Sequence, residues 1–536
     1  MRSSDAVGLV ILTLVALVAA STVAAAPATS EDRAVAHLLS RATFGPRPGD
    51  IVRVRTLGTA AWLEQQLHPE RIDDTETDAA LQSLASLRMS IPDLLREYPR
   101  VDPQILAQIE KGDMSRRELL ERYPPEKRPQ RVVAELSAAR MIRAVTSERQ
   151  LQEVMVDFWF NHFNVFAPKG AVRWYVTDYE RTVIRPNALG TFPDLVRAAA
   201  QHPAMLFYLD NWVSAKPDFT IPAGPNRGRK AGLNENYARE LMELHTLGVD
   251  GGYTQKDVTE VARAFTGWSI ERPQEDGRFV FRPRVHDDGE KVVLGTRLPA
   301  FGGRQDGEHV IEILVRHPST AKFIATKLVR RFVSDSPPGA LVAQVADTYL
   351  RTGGDVKPML RVIFTSSEFA AADAERAKIK KPLEYVASAV RALGGTVDPR
   401  GGFELARAVG EIGETLYGAQ PPTGWPDRAD AWVNAGTLLA RMNFAVALVE
   451  GRLPGVRIDT AALATDAGAS DPRVALDRVL AALLNGRASA DTRRVLETQL
   501  ADPQITRLSP DDRGPARTDV ARLTALVLGS PEFQRR

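Results

Sequence analysis

The amino-acid sequence predicts an all-α protein, mostly helical, with one small β-hairpin excursion near residues 278–295. Three observations carry that expectation. Apolar residues recur at helical spacing in nearly every segment between Gly and Pro breaks. Alternating or β-branched runs are confined to Arg278–Arg282 and Lys291–Leu294, with Asp288-Gly289 between them. The 536 residues are 44% hydrophobic and 25% charged and include no cysteine, so buried apolar surface rather than disulfides must hold the fold.

Taken in order, the chain opens on Arg2, an apolar run from Val7 to Val18 and the small residues Ala19 to Ala26. This is the pattern of a signal peptide, residues 1–25, cut after Ala25. The run falls short of the roughly 20 residues that span a bilayer, and charges interrupt every later apolar stretch. The expectation is an exported protein, periplasmic or extracellular, with no transmembrane segment after cleavage. An N-terminal helical region follows at 26–150, broken by Gly45-Pro46-Arg47-Pro48-Gly49. A core region at 151–375 carries two unusual helices and the hairpin, and a C-terminal helical region fills 376–536. Net charge is +2, from 69 basic against 67 acidic residues. That balance speaks against a nucleic-acid partner, which demands a strong basic excess.

Chemistry concentrates in two helices and one loop. Leu151 to Phe166 is apolar on most sides, yet Glu153, Asp157, Asn161 and Asn164 fall at i, i+4, i+8 and i+11, with His162 beside them. A buried carboxylate needs a partner. In Asn234–His245, Asn236, Glu240 and Glu243 form a comparable stripe, with Arg239 in reach of Glu243 and His245 at the end. Gly248 reads as a left-handed cap, and Thr254 with Asp257 as a capping box. Two such stripes bury most cheaply against each other. The pocket so formed would use Asp157, His162, Arg239, Glu240, Glu243 and His245 as proton carriers or orienting groups, or Asp157, Glu240 and Glu243 as ligands of a divalent metal. The bland alternative is a structural ion-pair and amide network around Arg239. The loop His286-Asp287-Asp288-Gly289-Glu290-Lys291 offers His286, Asp287 and Asp288 to a hard cation, or is a hydrophilic turn. His202-Pro203 and His317-Pro318 mark helix boundaries, and His37 reads as structural.

Several of these strings resemble a known family. His37-Leu-Leu-Ser-Arg-Ala-Thr-Phe-Gly45, Phe158-Trp-Phe-Asn-His-Phe163, the long Asn234–Gly248 string, Phe265-Thr-Gly-Trp268, His286–Lys291, Lys381-Pro-Leu-Glu384 and Gly424-Trp-Pro426 are similar to the family called domain of unknown function 1800. The resemblance spans nearly the whole chain after the leader. It implies an exported bacterial protein of unestablished activity, with a second exported protein encoded nearby as a partner, and it brings no catalytic residues. Pro421-Pro-Thr423 and Asp427-Arg-Ala-Asp430 depart from the glycine-richer turn of the family.

Two functions are therefore open: a non-catalytic envelope scaffold or binding protein, and a metal-assisted or acid–base hydrolase with its site between helices 151–166 and 234–247.

Overall fold

The computed structural model describes residues 29–112, 115–222, 227–458, 460, 463, 471–500 and 518–536. The expected signal peptide and residues 223–226 of the 222–228 loop lie outside them. The described chain is mostly helical, as the periodicity predicts, and its strands form three two-stranded antiparallel sheets.

Helix boundaries follow side-chain chemistry. Thr29 and Asp32 close a capping box on Ser30–Ala42, and Thr254 and Asp257 do the same on Gln255–Ala264, each satisfying two orphan amides. His202 and His317 cap as well, though at the N-terminal side. Each Nδ1 accepts the amide two residues on, from Ala204 and Ser319, at 3.1 Å. Gly248 has φ +83° and follows the Asn234 helix, and a Cβ there would lie 2.9 Å from the Phe323 ring.

The core is one continuous cluster running from Val35 to Phe533. Gln130–Thr146 lies inside it with Val132, Leu136, Met141 and Ile142 buried, each such side chain contributing about 1.5–3 kcal/mol. It packs along Pro399–Ile412. Gly402 permits the approach, since a Cβ there would meet the Ala138 carbonyl at 2.9 Å.

The β excursion forms where expected, with different partners. Arg278–Phe281 pairs back onto Trp268–Glu271, and Lys291–Val293 pairs forward onto Thr296–Leu298. The reason is turn chemistry. Leu294 and Gly295, both at positive φ, make a two-residue turn whose twist suits a hairpin, so Lys291–Val293 has a nearer partner than Arg278–Phe281. Among the described residues no helix is long and apolar enough to cross a membrane.

Candidate functional site

The polar stripe on Gln150–His162 is buried and fully engaged, but by elements other than the Asn234 helix. Arg185 holds Glu153 through two bonds of 2.5 and 3.1 Å. Arg140 and Lys381 reach Asp157 at 3.2 and 3.1 Å. Arg140 also donates to Glu180 at 2.6 Å and to the Tyr417 hydroxyl at 3.1 Å, while that hydroxyl donates to Glu180 at 2.5 Å. Burial alone would raise the Glu180 carboxyl, but Arg140 and Arg185 pull it down to about 2. Glu414, 3.4 Å from Lys381, goes the other way. Burial raises it, Lys381 opposes, and Asp157 adds to the rise. The result is a closed ionic lattice tying Gln130–Thr146, Gln150–His162, Glu180–Ile184 and Pro382–Ala392 together.

The amides farther along the stripe clamp a loop. Asn161 accepts the Trp425 amide at 2.7 Å and donates to the Trp425 carbonyl at 2.8 Å. Asn164 donates to the Ala419 and Pro421 carbonyls, both at 2.9 Å. Gly424 sits at φ +69°, where a Cβ would come within 2.5 Å of both the Asn161 carbonyl and its side-chain oxygen, so only glycine admits this contact. Between stripe and loop lies a cavity of about 20 Å³ lined by Asp157, Asn161, Asn164, Glu414, Tyr417 and Trp425, room for about one water.

The expected pairing of the two stripes is corrected by these contacts. Tyr237, Ala238, Leu241 and Met242 turn their helix's apolar side inward, leaving Asn236 exposed and Arg239, Glu240 and Glu243 half-buried at the surface. Arg239 bonds Gln255 at 2.8 Å and lies 3.7 Å from Glu235, one turn back, rather than reaching Glu243. Glu243 accepts from the Tyr253 hydroxyl at 3.1 Å. Glu240 is raised by burial and then by the Glu243 charge. The Tyr208 phenol stands between the two stripes, raised by burial and by Glu240 and lowered by Asn164. From Leu241 to Thr246 the backbone is a π-helical turn, a distortion frequent at functional sites.

The helices do meet at their histidines. The His162 Nε2 donates to the His245 carbonyl at 3.0 Å, and the half-buried Lys327 donates to His162 Nδ1 at 2.8 Å. Burial and then Lys327 depress both imidazoles, His245 to about 3. His245 Nε2 is buried without a hydrogen-bond partner among the described residues.

The 286–291 loop is a separate, self-satisfied knot. His286, fully buried, has Nδ1 2.7 Å from the Thr266 carbonyl and Nε2 3.2 Å from Asp306. Asp287 is gripped by Arg263 at 2.9 and 3.1 Å. Lys291 donates to Asp306 and to the carbonyls of Asp287 and Gly289 at 2.6–2.8 Å. Asp288 is exposed and its carbonyl accepts the Phe301 amide at 2.8 Å. The nine candidate residues thus divide among four places, and the described residues hold no group of three or more His, Asp or Glu side chains arranged for a metal ion.

A model of the family described as "Protein of unknown function (DUF1800)" matches residues 37–535. The chain belongs to this family. No curated protein and no solved structure matches it. In this DUF1800 chain the motif residues Asn161 and Gly424 build the loop clamp and Lys381 joins the lattice, while the Asn234–Gly248 and His286–Lys291 strings lie outside both. Sequence reasoning missed Arg140, Glu180, Arg185, Glu414 and Tyr417. Arg140 did carry a signal, a lone charge inside the apolar run Ser137-Ala-Ala-Arg-Met-Ile142.

Proposed function

We propose that this DUF1800 protein is exported to the cell envelope and serves as a non-catalytic scaffold or binding protein beside a second exported protein. The observation that carries this reading is the engagement of Asp157 by Arg140 and Lys381, which commits the central acid of the expected site to holding the core. Export is supported by the leader-like pattern of residues 1–25. A docking face is offered by the Ala435–Val449 helix, whose Leu438, Leu439 and Met442 are exposed at 40%, 61% and 47% on one side while Phe444 and Leu448 enter the core.

Elemental analysis of the purified protein, with melts before and after chelator, tests the non-catalytic reading. Less than stoichiometric metal and an unmoved melt are expected, and one metal per chain with a chelator-sensitive melt defeats it. A photo-crosslinker at Leu439 in intact cells should yield one discrete adduct with an envelope protein, absent when the crosslinker is moved to exposed Val495. N-terminal sequencing should find the mature chain beginning at Ala26.

A second reading, acid–base hydrolysis, is favoured by Glu240 alone, a half-buried carboxyl raised by burial and by Glu243. It requires that wild type turn over some member of an ester, amide and phosphoester panel and that Glu240→Gln abolish this with the fold retained. No turnover by wild type removes it.

A further inference from the structure

Away from the Asp157 lattice, a cavity of about 80 Å³ opens between the Ser30–Ala42 helix, the Thr43–Pro46 turn, the segment around Glu375–Ser388, the 482–487 turn and the 532–536 segment. That is room for several waters or for one small polyatomic ion. Its walls carry the cations Arg376, Lys380, Arg487, Arg535 and Arg536 and the acids Glu375, Glu384 and Glu532.

All three acids are already engaged. Glu375 pairs with Arg487. Glu384 pairs with Arg331 and Arg536 and accepts the Lys381 amide at 2.9 Å. Glu532 accepts from the Ser489 amide and the Thr492 hydroxyl at 3.0 and 2.9 Å.

Besides the exposed Arg535, two wall cations form no ion pair with a carboxylate among the described residues. Lys380 is 8% exposed, its ammonium rests 3.7 Å from the Phe533 ring centroid, and its side chain makes no hydrogen bond or ion pair among the described residues. Arg376 donates only to the carbonyls of Arg487 and Leu484, at 2.8 and 3.2 Å. Behind the wall, Arg41 is fully buried and bonds one carbonyl, that of Ala374, with Nε and Nη1 unpartnered among the described residues. A buried ammonium without a carboxylate in contact is costly, and burial lowers Lys380 to about 7 against the opposing pull of Glu384.

We propose that this cavity is a binding site for a small oxyanion, a phosphate or carboxylate group, received by Lys380 and Arg376. Its volume admits the charged group alone, so a larger ligand would enter by an anionic terminus. The cation–π contact with Phe533 leaves the ammonium protons free for that group. The site is independent of the scaffold reading and survives its failure.

Thermal melts of the purified mature protein in inorganic phosphate or in acetate, against sodium chloride at matched ionic strength, test it. Phosphate or acetate should raise the midpoint in a saturable way that chloride does not reproduce. The more effective anion identifies the group the cavity takes. Lys380→Met removes a buried charge that has no carboxylate in contact, so it should melt at or above wild type without added anion, yet need at least tenfold more anion for half the shift. Arg376→Gln should weaken the response in the same sense and serves as the deciding variant if Lys380→Met fails to fold. No shift with either anion, an equal shift with chloride, or an unchanged response in the variant tested overturns the site.

Discussion

Asp157 accepts from Arg140 at 3.2 Å and from Lys381 at 3.1 Å, so neutralising it leaves two buried cations facing each other. Asp157→Asn should lose about 3–5 kcal/mol, the usual cost of breaking a buried pair on one side, read as a lower denaturant midpoint. A midpoint equal to wild type would mean the lattice does not depend on this charge. The histidines set a pH response. Burial, then Arg41 for His37 and Lys327 for His162 and His245, holds all three below the ordinary value, His37 at about 4 and His245 at about 3. With an unfolded value near ~6.5, the unfolded chain takes up these protons first. The stability is whole above ~6.5 and drains away as pH falls toward the folded values, about 2 kcal/mol each for His37 and His245 by pH ~5. Lys327 and Lys380, lowered by burial to about 8 and 7, complete most of their change above that window, and the raised carboxyls of Glu240 and Glu414 work in the opposite direction. The melting temperature should fall between about pH 7.5 and about pH 5, and His245→Met should make the fall shallower. A flat profile in wild type would contradict the neutral assignment.

The Gln150–His162 helix and the 419–425 loop behave as one unit because Asn161 and Asn164 supply the hydrogen bonds the loop backbone lacks. Gly424→Ala breaks that unit. The left-handed backbone alone costs a Cβ about 1–2 kcal/mol, and the overlap with Asn161 must also be relieved. The expected outcome is a loss of at least about 2 kcal/mol together with new protease cleavage between residues 419 and 425. Cleavage at the wild-type rate would show that the loop is held by something else. The β excursion teaches the same lesson at this scale. Strand-forming runs were legible from alternation, but their partners were set by the two-residue Leu294-Gly295 turn, a feature of φ angles rather than composition.

Across the whole molecule, one apolar cluster runs from Val35 to Phe533, and ion pairs such as Lys381 to Asp157 and Arg361 to Glu64 join distant parts of the chain. Calorimetry should therefore show a single unfolding transition with matching calorimetric and van't Hoff enthalpies; two resolved peaks would mean separately folding units.

The sequence by itself determined the helical class, the place of the β excursion, the Thr254–Asp257 capping box and the Gly248 cap, because each depends on residues a few positions apart. Family membership was equally legible, since it rests on strings such as Asn234–Gly248. Only the tertiary structure decided which cation answers each buried acid. Lys381 stands 224 residues from Asp157, and helical periodicity places a side chain on a face without saying what the face meets. The second helix shows the consequence. Its stripe has the same spacing as the first, yet Glu240 and Glu243 stay near water because Tyr237, Leu241 and Met242 bury more apolar surface on the opposite side.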